Sequence, residues 1–499
     1  MGASPAVSDT TLAHGAIGLR EVMFQSVAFM GCGATIVSSL PLTMAYAGGA
    51  ALDAAFLCLL ALLTVALSIA ALSAHLPSAG SFYTYASRAI HPNVGFLVGW
   101  LYSMLTVLVV PLLVLILAAT LAATHPLTSA PGLWWVYALI AIVIVSVICW
   151  LGVQTSSVFN VILGIFELAV FLAVSIWLIF AAGDRNTFAV FGTKFANIPG
   201  HLGFGGIIVG MIFTVLAFSG FESAAPLAEE SRAPRRTIGR AVVIALLVVA
   251  GIELVSIYAA TVYWGPKNMG AFASLSGGIG ANWELLSGKV WGAGWLLVLI
   301  AVLNSCLANS NAGANTITRT LYAFGRIRVL PRALGTTDAR RKSPQVAVAV
   351  QFVLSVAITL GLGIAYGPSV AFGILGTIIG IAFAVLYMVI NLSCFLYFWR
   401  QRRHEFTWWR HALIPAIGIV VLIPVFFAGA GLPVFSFISP LTAPYSYAGP
   451  ILLIWMIIGL GYLFYMRSHN PQRIQDTSKV FLMEETDAVE GIAAAVSSN

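Results

Sequence analysis

The stretch Phe213-Thr214-Val215-Leu216-Ala217-Phe218-Ser219-Gly220-Phe221-Glu222-Ser223-Ala224-Ala225-Pro226 decides the fold. Its first half is apolar enough for a membrane helix, but its second half packs hydroxyls, a glycine, a carboxylate and a proline together. Backbone freed by such an interruption persists in a bilayer only inside protein or beside a water-filled cavity. A second interruption, Phe29-Met30-Gly31-Cys32-Gly33-Ala34-Thr35-Ile36-Val37-Ser38-Ser39-Leu40-Pro41, lies in the first apolar span, five spans earlier. Read singly, either segment is an ordinary kink or close-packing device. Read as a pair at matching places, with a carboxylate in one, they point to an inverted repeat with a binding site between the breaks.

Composition supports a chain that lives in lipid. Of 499 residues, 60% are hydrophobic and only 8% charged, with a mean hydropathy of +0.98. Soluble domains carry about 25% charged residues, so a soluble enzyme or nucleic-acid-binding module is excluded. The five cysteines are widely spaced within apolar segments and form neither a metal-ligand spacing nor a disulfide framework. No phosphate loop, HExxH or GxSxG sequence is present. No catalytic residue, metal or cofactor is therefore expected.

Apolar windows of about 20 residues place twelve spans near 22–46, 50–76, 93–123, 133–151, 155–182, 203–228, 238–264, 288–318, 344–365, 369–399, 409–429 and 446–467. The expected organisation is a cytoplasmic segment 1–20, a first five-helix repeat 21–182, a second repeat 203–399, two accessory helices 409–467 and a cytoplasmic tail 468–499. A short surface helix is expected around Trp283. With the N-terminus inside, 20 of the 24 Lys and Arg residues fall on the cytoplasmic side; the other four are Arg185, Lys194, Lys267 and Lys289. That bias predicts an even number of spans and both termini in the cytoplasm of a cell (inner) membrane. It also explains the net charge of +7 without a nucleic-acid partner.

Three segments resemble the amino acid–polyamine–organocation (APC) superfamily of permeases, over roughly residues 20–400. The most specific runs Phe218-Ser219-Gly220-Phe221-Glu222 to Glu230, then Pro234-Arg235-Arg236. The others are Leu76-Pro77 to Arg88 with Gly95 and Gly99-Trp100, and Arg319 to Arg326 with Leu330-Pro331 and Pro344. The resemblance implies an all-α membrane protein with a LeuT-like five-plus-five inverted repeat plus two C-terminal helices. It also implies secondary transport of an amino acid, polyamine or related amine by alternating access.

The resemblance places substrate against the two breaks, at Gly33, Ala34, Thr35 and Ile36 and at Phe218, Ser219, Gly220 and Phe221. The family's Gly-Ser-Gly turn falls on Ala34-Thr35-Ile36, a departure that narrows the backbone approach to a substrate carboxylate. Phe218 and Phe221 are either aromatic gates or core. Leu216 stands where some arginine-exchanging relatives carry a larger aromatic, which speaks against that substrate.

Away from the span ends, three acids lie within spans: Glu167, Glu222 and Glu253. Charges at mid-bilayer cost about 2.5–3.5 kcal/mol by insertion scales. Glu222 is read as coupling substrate binding to protonation, as capping freed backbone, or both. Glu167 falls where several members carry a lysine, so it is read either as a coupling acid or as a neutral hydrogen-bonded residue. Glu253 is read as a neutral, satisfied side chain. The polar eighth span, with Asn304, Ser305, Asn309, Ser310, Asn311, Asn315, Thr316 and Thr318, offers either a wet pathway or interhelical hydrogen bonds. Proton symport for uptake is the first expectation and exchange (antiport) the second, with sodium a lesser partner; a channel or sensor is the alternative from another class. The sequence leaves cargo and oligomeric state open.

Overall fold

The computed structural model describes residues 17–78, 80–124, 132–151, 153–275, 279–338 and 343–475, with backbone alone for residues 153–160 and 229. Most of the expected N-terminal segment and of the tail lies outside the described residues. The first span is α1 (Leu19–Met30) and α2 (Cys32–Ala47), followed by α3 (Ala51–His75), a short α4 (Ser81–Ala89) and α5 (Pro92–Thr124). Next come α6 (Trp134–Leu151) and α7 (Val153–Ala182). The second half runs through α8 (Phe204–Phe218), a 3₁₀ segment (Phe221–Glu230) and α9 (Pro234–Trp264). Two short helices follow, α10 (Met269–Ala273) and α11 (Ala281–Trp291), then α12 (Trp295–Arg326), α13 (Gln345–Tyr366), α14 (Pro368–Arg400), α15 (Ile414–Gly429) and α16 (Ala448–His469).

Eleven helical stretches among the described residues are long and apolar enough to cross a membrane. The first, Leu19–His75, has 57 residues, roughly twice or more what a bilayer requires. It is interrupted by a 3₁₀ turn at Gly48–Ala50, where Gly48 has φ 61°; the expectation of twelve spans divides it there.

Side-chain packing pairs the two halves with opposite chain directions. Thr43 of α2 meets Thr214 of α8 through hydroxyls 3.0 Å apart, while Phe29 lies against Gly220 further back. In the α3–α9 pair, Ala70 packs on Gly239 and Cys58 lies within electrostatic reach of Glu253. Across α5 and α12, Phe324 covers Gly99 and Val109 covers Gly313. Between α6 and α13, Trp134 covers Gly363 and the Ser343 hydroxyl donates to the Trp150 carbonyl at 3.2 Å. In each pair, residues later in one helix meet residues earlier in the other. Helices α2, α3, α5 and α6 thus run antiparallel to α8, α9, α12 and α13, the arrangement of an inverted repeat.

The last two helices pack on the outside of this core. Gly418 of α15 allows contact with Thr64 and Asn391. Trp100 and Trp455 stack at 4.7 Å and each indole N–H donates to the other's carbonyl, at 2.9 and 3.1 Å. Outward-facing Phe180, Ile364 and Phe464 are exposed, as side chains that meet acyl chains are. All five cysteines are buried and free. The expected helix around Trp283 is present as α11, but Trp283 is fully buried with its ring 5.9 Å from Phe171. It anchors the loop instead of lying on the surface.

Candidate functional site at two helix breaks

The first break is a single residue. Gly31 sits in the left-handed region at φ 59°, ψ 60°, closing α1 and opening α2. A β-carbon there would collide with the side chain of Asn309 on α12, so glycine alone satisfies both backbone and packing. Ala34, Thr35 and Ile36 are helical. The break therefore precedes the turn expected at those three positions, because residues with a β-carbon stay in the helix while Gly31 takes the left-handed angle.

The second break is longer. Ser219 is extended and Gly220 has φ 114°, after which ten residues continue as a 3₁₀ segment containing Pro226. Runs beyond three or four residues of this helix are uncommon and often mark hinges. Partners elsewhere hold it. The Glu222 carboxylate accepts from the Gly220 N–H at 2.9 Å and from the Tyr387 hydroxyl at 3.0 Å. Ser26 of α1 donates to the Phe221 carbonyl at 2.7 Å and accepts from the Ala224 N–H at 3.1 Å. Glu222 thus caps freed backbone. The two breaks touch, since a β-carbon on Gly220 would lie 2.8 Å from the carbonyl of Phe29.

Beside this contact is a cavity of about 30 Å³, room for roughly two water molecules. Its polar wall comprises Thr35, Ser38 and Ser39 of α2, Ser219 and Gly220 of the second break, and Asn309. The Oδ1 of Asn309 is buried without a hydrogen-bond partner. Its apolar wall comes from α5, α8 and α14, with Leu112, Leu113, Ile116, Leu216, Ile379 and Phe383 among its members.

A second polar layer lies behind α2. The Thr35 hydroxyl donates to Glu253 Oε1 at 2.6 Å, leaving Glu253 Oε2 without a partner. Glu167 is fully buried and neither carboxylate oxygen makes a hydrogen bond. The Cys32 backbone and the Ser305 side chain approach it without meeting hydrogen-bond geometry. Ser305 accepts from the Ala34 N–H at 2.9 Å, so its own hydroxyl proton is free to turn. Glu167 and Glu253 also interact electrostatically with each other.

The two ends of the core differ. At the arginine-rich end, Arg319 and Glu230 form an ion pair of 2.8 Å with side chains 4% and 2% exposed. Arg319 also donates to the carbonyl and side chain of Asn315, and Ile17 pairs with Ser231 across this face. At the other end a larger pocket of about 240 Å³ reaches Tyr445 and Asn282 and shares Ser38 and Phe372 with the central cavity.

Of the expected site residues, Ala34, Thr35, Ser219 and Gly220 line the cavity. Gly33 instead packs against Phe171 and Ser305. Ile36, Phe218 and Phe221 are fully buried outside the lining, with Phe221 stacked on Tyr387 at 5.4 Å. Of the polar residues on α12, only Asn309 reaches the cavity. Asn304 donates to the Leu163 carbonyl at 2.9 Å, and Thr316 and Thr318 bond carbonyls of their own helix. Sequence reasoning missed Phe372 of α14, which lines both pockets.

The family model described as "Amino acid permease" matches residues 22–475. The low-affinity putrescine importer PlaP of Escherichia coli is 28% identical over 70% of this chain and 73% of its own. The branched-chain amino acid permease BcaP of Lactococcus lactis is 26% identical over 80% of this chain and 83% of its own. The gamma-aminobutyric acid permease of Escherichia coli is 27% identical over 76% and 79%.

Proposed function

Because the chain belongs to the amino acid permease family, within the amino acid–polyamine–organocation superfamily, we propose that it imports an amino acid or related amine by alternating access coupled to protons. The observation that carries this reading is the contact of two helix breaks beside one cavity. The named cargoes of its relatives, putrescine, branched-chain amino acids and gamma-aminobutyric acid, bracket the chemical range.

In this reading, cargo meets Ala34, Thr35, Ser219 and Gly220 directly, while Gly33, Ile36, Phe218 and Phe221 shape the breaks from behind. Leu19–His75 divides at Gly48 into two spans, giving twelve in all. The arginine-rich end faces the cytoplasm of the cell membrane, a placement supported by the distribution of basic residues. Rocking of the repeats then alternates between the end sealed by Arg319 and Glu230 and the end screened by Phe372.

Glu167 is the coupling acid. Its unpaired carboxylate stands behind the opening turn of α2. Gain or loss of a proton there changes the charge facing the N-terminal turn of a helix, where a negative charge is stabilising. Glu222 couples in a second way, because its carboxylate holds the Gly220 N–H that must move with the second break.

The test is uptake of labelled amino acids and putrescine into proteoliposomes, with and without an inward proton gradient, for wild type and Glu167→Gln. Gradient-driven uptake lost in Glu167→Gln while exchange survives is the expected result. Gradient-independent exchange, unchanged by the substitution, would replace symport with antiport and return Glu167 to a structural role.

A further inference from the structure

We propose that the cargo is a neutral α-amino acid with a branched aliphatic or aromatic side chain, selected by the apolar wall of α5, α8 and α14. This rests on the transport reading above and narrows it to one substrate class.

The cavity holds only about 30 Å³ while the two breaks touch and must widen to admit cargo; its lining is two-sided in its chemistry. Polar groups cluster at the helix breaks: the hydroxyls of Thr35, Ser38, Ser39 and Ser219, and the side chain of Asn309. The opposing wall is hydrocarbon, with Leu112, Leu113, Ile116, Leu216, Ile379 and Phe383. No Asp, Glu, Lys, Arg or His lines the cavity among the described residues. The three acids at depth within the spans are turned to other tasks. Glu222 caps the Gly220 N–H and accepts from Tyr387, Glu253 accepts from Thr35, and Glu167 lies behind α2 near Cys32 and Ser305.

A zwitterionic head group suits the polar side. Its ammonium meets the unpartnered Oδ1 of Asn309 and the carbonyls at the end of α8, where backbone acceptors lack helical partners. Its carboxylate meets the hydroxyl of Ser39 and that of Ser38, which must turn from the Ala34 carbonyl it now bonds at 2.6 Å; the Thr35 proton stays with Glu253. The net charge of the head is zero, so no buried counter-charge is needed. A second ammonium, on a lysine side chain or at the far end of a diamine, would project into the hydrocarbon wall. Burying an unpaired charge there is strongly unfavourable and should appear as a discrimination of about 100-fold or more.

The deciding experiment measures kcat/KM for leucine, isoleucine, valine, phenylalanine, lysine and putrescine in wild-type proteoliposomes. It repeats the neutral series in Leu216→Ala and, as a milder change, Ile379→Val. The expected result is apolar amino acids ahead of lysine and putrescine by about 100-fold or more. Leu216→Ala should also shift the phenylalanine-to-valine ratio by about tenfold toward phenylalanine, the scale of one to a few methylenes in a pocket, and Ile379→Val should shift it less in the same direction. Lysine or putrescine carried as well as leucine overturns the inference while leaving a carrier of amines intact. Size ratios unchanged in both variants also overturn it, since the wall would then not touch the cargo. No flux of any amino acid or amine overturns both this inference and the transport reading beneath it.

Discussion

The hydroxyl of Thr35 and the carboxylate of Glu253 lie 2.6 Å apart, tying the broken first span to α9 directly behind the cavity. Thr35→Val would leave both oxygens of Glu253 buried and unpartnered, since Oε2 already has no partner. Stranding a buried polar group costs about 1–3 kcal/mol. Thermal unfolding in detergent should fall accordingly for Thr35→Val, and Thr35→Ser should restore it. The Thr35→Val/Glu253→Leu pair should be less destabilised than the sum of its single changes. Strict additivity would show that the two side chains act independently.

The ion pair of Arg319 and Glu230 is almost wholly enclosed. Removing one partner of such a pair costs about 3–5 kcal/mol, whereas replacing both with apolar groups of similar volume is often neutral. Arg319→Ala should therefore lower detergent stability sharply, and Arg319→Met with Glu230→Leu should recover most of it. The recovered protein should also exchange substrate at an altered rate, because the seal at this end no longer carries charge. Recovered stability with wild-type exchange would show that the pair is no gate.

Gly220→Ala should abolish transport and reduce the yield of folded protein. The new β-carbon would fall 2.8 Å from the Phe29 carbonyl at a backbone φ of 114°, so strain and collision act together. Gly251→Ala, where a β-carbon meets nothing within 4 Å, serves as the control and should behave as wild type in both assays.

Phe372 lines both the cavity and the wider pocket at the other end. Phe372→Ala should merge the two spaces and raise the substrate KM several-fold with a smaller change in kcat, whereas Phe372→Tyr should stay near wild type. Proteoliposome uptake across a substrate series measures both. Equal KM values in all three proteins would place the barrier elsewhere.

The spans were legible because each carries its own hydrophobic signal, and most ends agree with the structure within a few residues. The eighth span is the exception, read at 288–318 but folded as Trp295–Arg326. Arg319 looks like a loop residue until its partner Glu230, 89 positions away, is brought alongside. The same limit applies at the site. That Gly31 is the broken residue, and not Ala34–Ile36, depends on Asn309 occupying the space where a β-carbon would lie. Phe218 and Phe221 were open by sequence to a gate or a core place; both are fully buried outside the cavity lining, and the ring that lines both cavities is that of Phe372. Local pattern reveals which segments are interrupted, whereas the identity of the residues facing the gap is decided by distant chain.

The 3₁₀ segment Phe221–Glu230 also has a mechanical consequence. Ten residues rise about 20 Å in a 3₁₀ helix but about 15 Å in an α-helix. Rewinding would draw Glu230 about 5 Å toward Gly220, close to one full α-helical pitch. Such a change of winding, with Pro226 costing one helical hydrogen bond, would be large enough to part Glu230 from Arg319 while every covalent length stays fixed.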